Sequence, residues 1–174
     1  MSDTAATIAP LTPDLLPALG ATWQAQRSRA RPGQPDESGR WVRPSPERRA
    51  IVERALRASL GAGDGRALAL AAVRGETVAA YLIGREVRLP RTASYRAYAP
   101  DRFVSVAADD WGVAAPGDRD LLADLYAELT TRGLARGVAA HLLAIAPGDD
   151  CADLWLDLGF ARQDRYAFLP LDAA

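Results

Sequence analysis

Residues 111–160 read WGVAAPGDRDLLADLYAELTTRGLARGVAAHLLAIAPGDDCADLWLDLGF. The run 111–115 is apolar and stops at Pro116-Gly117, which predicts a short strand followed by a tight turn. Leu121, Leu122, Leu125, Tyr126 and Leu129 then recur at helical spacing and make one apolar stripe. That predicts a helix over about 118–132, with Asp118 as its cap, Arg132 in its last turn and Gly133 ending it. A second strand is expected over 138–146, and a short helix over 150–158 closed by Gly159-Phe160. A strand, a crossover helix and a parallel strand make a right-handed unit. Ligands of such units collect where strand ends meet the helix N-terminus.

Working outward, residues 103–107 read as a strand that continues past Asp109-Asp110 into 111–113. The runs 66–73 and 77–87, joined by Arg74-Gly75-Glu76, predict an antiparallel hairpin, and Gly84 suggests a bulge in its second arm. Residues 89–102 read as a loop. Near the start, 7–11 is a short strand. Asp14 caps a helix running to about Gln26, with Pro17 in its first turn and Leu15, Leu16, Leu19 and Trp23 on its buried face. Ser45-Pro46 opens a further helix, lined by Ile51, Val52, Ala55, Leu56 and Leu60 and stopped by Gly61. Residues 166–171 predict a last strand. No internal repeat is visible.

The segment 27–44 differs in kind. It carries Arg27, Arg29, Arg31, Arg40 and Arg43 among Pro32, Gly33, Pro35 and Gly39. A loop this long is either a solvated connection or a binding lid. As a lid it would offer Arg27 and Trp41 to a substrate, with Trp23 on the preceding helix beside them. The expected fold class is α/β (α+β): one domain over 1–174, with a mixed central sheet of about 6–7 strands flanked by about 4 helices.

Composition removes some chemistries. All 21 basic residues are arginine, so no Schiff-base lysine is available. The formal net charge is −1, and the arginines are scattered among few aromatics, which argues against a nucleic-acid partner. No apolar run approaches the roughly 18 residues of a membrane helix. The N-terminus Met1-Ser2-Asp3 lacks signal-peptide character. These features lead us to expect a cytoplasmic protein with no membrane partner. Cys151 is the only cysteine, and no metal site is expected without a second histidine or a cysteine pair.

The order of elements resembles the GCN5-related N-acetyltransferase (GNAT) family. Two motifs carry the resemblance: Leu121-Leu122 with Gly133 closing the central helix, and residues 149–160 ending in Gly159-Phe160. The resemblance implies an acyl-CoA-dependent N-acyltransferase with acetyl-CoA as co-substrate and a small-molecule amine as acceptor. It also implies that two parallel strands splay apart, here 111–115 and 138–146, to admit the pantetheine arm. The implied donor contacts are Val113, Ala114, Ala115, Gly117, Arg119, Cys151 and Trp155. Two departures stand out. The phosphate loop Pro116-Gly117-Asp118-Arg119-Asp120 is degenerate, lacking the family's repeated glycines, and its two carboxylates would repel an anion. Trp155 stands where the family often has a tyrosine acid, and an indole N–H is no proton donor for a leaving thiolate.

Transfer to an amine calls for a base near the splay, and Asp110, beside Asp109, is the candidate, with Glu86 as the alternative. His141 reads as a core or edge histidine. Cys151, at a helix start, is either a buried thiol or one of lowered pKa. A degenerate GNAT-like domain serving as a binding or interaction module stays open as the alternative, as does a homodimer.

Overall fold

The structure, a computed structural model, describes residues 5–29, 46–61, 66–97, 99–145 and 149–161. Its elements are β1 (Thr7–Pro10), α1 (Leu16–Arg29), α2 (Pro46–Gly61), β2 (Ala67–Arg74), β3 (Thr77–Arg88), β4 (Arg102–Val106), β5 (Trp111–Val113), α3 (Asp120–Ala135), β6 (His141–Leu143) and α4 (Ala152–Asp157). Short 3-10 turns precede α1 at Pro13–Leu15 and α3 at Pro116–Asp118. The sheet order is β1-β2-β3-β4-β6, with β5 pairing β3. All neighbours are antiparallel except β4 and β6, which are parallel. A mixed sheet with helices on both faces is the architecture expected.

β3 is the centre of the sheet because apolar cover on both faces lets it be apolar almost throughout. Ala80 and Leu82 pack with Leu122, Leu125 and Leu129 of α3. Tyr81 and Ile83 pack with Leu16, Leu19 and Trp23 of α1 and with Val52 and Leu56 of α2. The three α3 leucines are fully buried, each contributing roughly 1.5–3 kcal/mol. Gly84 is required for this packing. A Cβ there would lie 2.5 Å from Val104 Cγ1 and 2.9 Å from Leu129 Cδ1. On the β2 side Gly84 pairs in register with Leu68, and the register shift of this hairpin lies at Ala72/Val73; the bulge expected near Gly84 falls instead on the strand opposite its other edge.

β4 and β5 are two parts of one run along β3, as the sequence suggested, but the run is interrupted. Arg85 pairs with Ser105 and Leu82 with Trp111, so residues 106–110 oppose only Ile83 and Gly84. The surplus chain bulges outward in a turn closed by Asp110 N–H to Ala107 O at 2.9 Å.

Other local expectations are corrected. The parallel partner of β6 is β4, not the 111–115 segment. The strand foreseen over 138–146 shrinks to His141–Leu143, because Val138 N–H instead closes the end of α3 on Gly133 O. Asp118 caps nothing: its carboxylate turns to Arg74 at 3.0 Å, and the helix starts without a side-chain cap. α1 runs on to Arg29, so the first three residues of the presumed 27–44 loop are helical. The remainder of that loop, with Trp41, lies outside the described residues, as does the strand foreseen at 166–171.

Candidate active site

The bulge is where two parallel chain segments part. Up to Val106 the strands are joined: Val104, Ser105 and Val106 oppose His141, Leu142 and Leu143, and Ala144 N–H reaches Val106 O at 2.9 Å. Beyond it β5 stays with β3, while among the described residues the chain after β6 is hydrogen-bonded to β5 through Trp111 Nε1–H to Ala144 O at 3.1 Å. Ile83 N–H bonds Asp110 O and Ala114 N–H bonds Ala79 O. The Asp110 C=O, the Gly112 backbone groups and the Ala114 N–H therefore face β3. The backbone groups of Trp111 and Val113 point the other way, into the gap.

Polar side chains from the last turn of α1 cross that gap. Val113 N–H donates to Gln26 Oε1 at 2.9 Å, and Gln26 Nε2 donates to Asp149 at 3.1 Å. Arg29 donates to Val113 O at 2.9 Å and Ala114 O at 2.8 Å and pairs with Asp150 at 3.1 Å. Arg27, only 6% exposed, meets Asp109 at 3.1 Å, Asp149 at 3.6 Å and Ala108 O. Asp149 also accepts from Cys151 N–H at 3.0 Å, tying the start of α4 to the same network. Burial raises the Asp149 pKa despite these partners.

On the α1 side of the bulge sit the two acids. Asp109 accepts from Trp23 Nε1 at 2.9 Å as well as from Arg27. Tyr81 hydroxyl donates to Asp109 O at 3.1 Å, and burial pushes its pKa well up. Asp110 is 4% exposed; it pairs with Arg85 and accepts from Ala107 N–H at 3.1 Å. Burial outweighs the arginine and raises its pKa, which moves it toward the range of a base working near neutrality. Glu86 is a poorer base: hydrogen bonds from Arg102 and then Arg88 lower its pKa to about 2.

The other side of the gap is aromatic. Trp155 is fully buried, with its ring centroid 5.2 Å from Trp111 and 5.8 Å from both Tyr126 and Phe160. Its indole N–H has no hydrogen-bond partner among the described residues. Cys151 is buried; burial first, then Asp150, pushes its pKa up to about 12. It is a thiol at neutral pH, which excludes the activated form. Asp149, Asp150 and Cys151 bring one possible metal-ligand atom each within 4.8 Å of one another. Arg27 and Arg29 already neutralise both carboxylates. His141 Nδ1 lies 2.8 Å from the Tyr126 hydroxyl, and burial lowers its pKa.

The residues singled out in the sequence fall into two groups around the divergence. Trp23, Arg27 and Asp110 lie on its α1 side. Val113 and Ala114 form its edge, and Cys151 and Trp155 lie at and just inside the start of α4. Ala115 and Gly117 are exposed in the turn before α3. Arg119 is half-buried and close enough to Cys151 to act on its charge, and its guanidinium makes no hydrogen bond or ion pair among the described residues. Gln26, Arg29 and Asp149 were not foreseen as parts of this site. The signal was present for Gln26 and Arg27: they continue the Leu16, Leu19, Trp23 stripe at helical spacing, so the buried face of α1 ends in polar groups.

No family sequence model matches the chain, and no curated protein does. Solved structures do resemble it in fold. A predicted acetyltransferase with acetyl-CoA from Clostridium acetobutylicum has a TM-score of 0.66 and 12% identity, covering 95% of this chain and 96% of its own. A GCN5-related N-acetyltransferase from Ralstonia eutropha has 0.61 and 17%, over 97% and 99%. An aminoglycoside 6'-N-acetyltransferase from Acinetobacter baumannii has 0.58 and 13%, over 97% and 99%. The architecture is thus that of the GNAT proteins, as the sequence motifs implied.

Proposed function

We propose that the chain is one N-acyltransferase domain, working in the cytoplasm, that transfers an acetyl group directly from acetyl-CoA to a small-molecule amine. The observation that carries this reading is the divergence beyond the bulge, where β5 and the chain after β6 part and the Trp111 and Val113 backbone groups face the gap. Arg119 and the uncapped start of α3 fit a phosphate-bearing donor, and Asp118, held by Arg74, is turned away from that anion. Trp155 supplies a buried donor N–H with no partner among the described residues. Acetyl-CoA would bring the activated acyl group. Asp110, with its raised pKa, would take the proton of an incoming amine, through water, as the nitrogen gains its acyl bond and the thioester C–S bond breaks, the coenzyme A thiolate leaving to take a proton from solvent. Asp109 and Trp23 bound the same side and fit a small cationic acceptor. Aminoglycoside N-acetyltransferases are among the structural neighbours, which fits an amine acceptor.

The second reading, a binding module without turnover, is favoured by one observation: Gln26 and Arg29 already hold the N–H and C=O of Val113. Calorimetry with acetyl-CoA separates the two. The enzyme reading predicts saturable binding that weakens about tenfold or more in Arg119→Glu, since a reversed charge near a phosphate is unfavourable by roughly 3 kcal/mol at about 5 Å. A melting temperature unmoved by millimolar acetyl-CoA would favour the module.

A further inference from the structure

The last turn of α1 treats the β5 edge as a ligand would. Gln26 presents a carboxamide whose oxygen accepts from Val113 N–H at 2.9 Å and whose nitrogen donates to Asp149 at 3.1 Å. The approach depends on Gly112, where a Cβ would lie 2.6 Å from Gln26 Oε1. Gln26 is 3% exposed, so in the resting chain this contact is made away from solvent. Arg29 takes the matching carbonyl of Val113 and the next one at Ala114. Both side chains leave the same helical turn, and Arg27 between them holds Asp109 and Asp149. A movement that takes Gln26 off Val113 therefore pulls on all three contacts.

We propose that the C-terminal turn of α1 is an internal competitor for the donor site: Gln26 occupies the Val113 amide in the resting chain and withdraws when an amide-bearing donor takes its place. This rests on the acyl-donor reading above. It adds that donor affinity is set by how firmly the chain binds itself. The same withdrawal loosens Arg27 from Asp109, so the donor prepares the acceptor side before the amine arrives. The groups facing this turn are Asp109, Asp149 and Asp150 with Arg27 and Arg29, and their mutual neutralisation is what the closed state gains.

The test is calorimetry with coenzyme A on the full chain, its Gln26→Ala variant and its Arg29→Ala variant, together with hydrogen exchange at the Val113 amide without ligand. Removing the competitor is expected to tighten coenzyme A binding about three- to tenfold, the equivalent of one net hydrogen bond. Exchange at Val113 is expected to quicken in Gln26→Ala. If the wild-type chain binds coenzyme A and neither variant binds it more tightly, the competitor role is wrong while the acyl-donor reading stands. Unchanged Val113 exchange in Gln26→Ala also refutes it. If no form of the protein binds coenzyme A, both readings fall. Arg29 is partly exposed, so its variant keeps the test decisive should Gln26→Ala fail to fold.

Discussion

Asp149 is the post to which the site is tied, and its replacement by alanine shows how strongly. The carboxylate accepts from Cys151 N–H at 3.0 Å and from Gln26 Nε2 at 3.1 Å, and lies 3.6 Å from Arg27. Alanine leaves two buried donors without partners, each worth roughly 1–3 kcal/mol. Arg27 keeps Asp109, so the full penalty for stranding a buried charge, about 3–5 kcal/mol, does not apply. Burial raises the Asp149 pKa, so the ionised group is itself held at a desolvation cost, and losing it returns part of the penalty. The net expectation is about 2–4 kcal/mol. In a domain of this size that lowers the melting temperature by roughly 4–16 °C. Asp149→Asn keeps an acceptor and sheds the buried charge, so it is expected to lose less than half as much. Thermal melts followed by circular dichroism read both values. A melting temperature for Asp149→Ala within about 2 °C of wild type would refute the claim that this residue joins α1 to α4.

Two further outcomes follow from the same geometry. Asp110→Asn is expected to slow acetyl transfer by about 10²–10⁴, to abolish the fall in rate that wild type shows as pH drops through the raised Asp110 pKa, and to leave coenzyme A affinity within about twofold; steady-state kinetics against pH, with calorimetry, checks all three. His141 has its pKa lowered by burial, so the unfolded chain binds the proton more tightly. Its contribution to stability is complete above the unfolded value of about 6.5 and is lost as pH falls through the folded one. Urea titrations from pH 7.5 to 5 should show this loss in wild type and a flatter profile in His141→Phe.

The sequence was most legible where one face of an element meets a core. The α3 stripe, the β2–β3 hairpin and the helix opened by Pro46 all follow from spacing, because burial of one face leaves few alternatives. The divergence between 111–115 and the chain after 138 was implied by the family resemblance, but the pairing of β6 with β4 below it was not. Pairing of β6 with β4 depends on the bulge at residues 107–110, and two consecutive aspartates read as a plain turn until Arg85 and Ala107 N–H are seen to hold one of them. Asp118 looked like a cap because its type and position suit one; the ion pair with Arg74, 44 residues earlier, wins instead. Gln26 and Arg29 lay hidden for the same reason: their meaning comes from Val113 and Asp149, far along the chain, which no local pattern encodes.

The central claim, that the gap beside Val113 receives a thioester donor, is tested most directly by titrating isotope-labelled protein with acetyl-CoA and following two resonances, the Val113 amide and the Trp155 indole N–H. Both are expected to shift together and to saturate on one binding curve. Two resonances that stay fixed up to millimolar acetyl-CoA would contradict it.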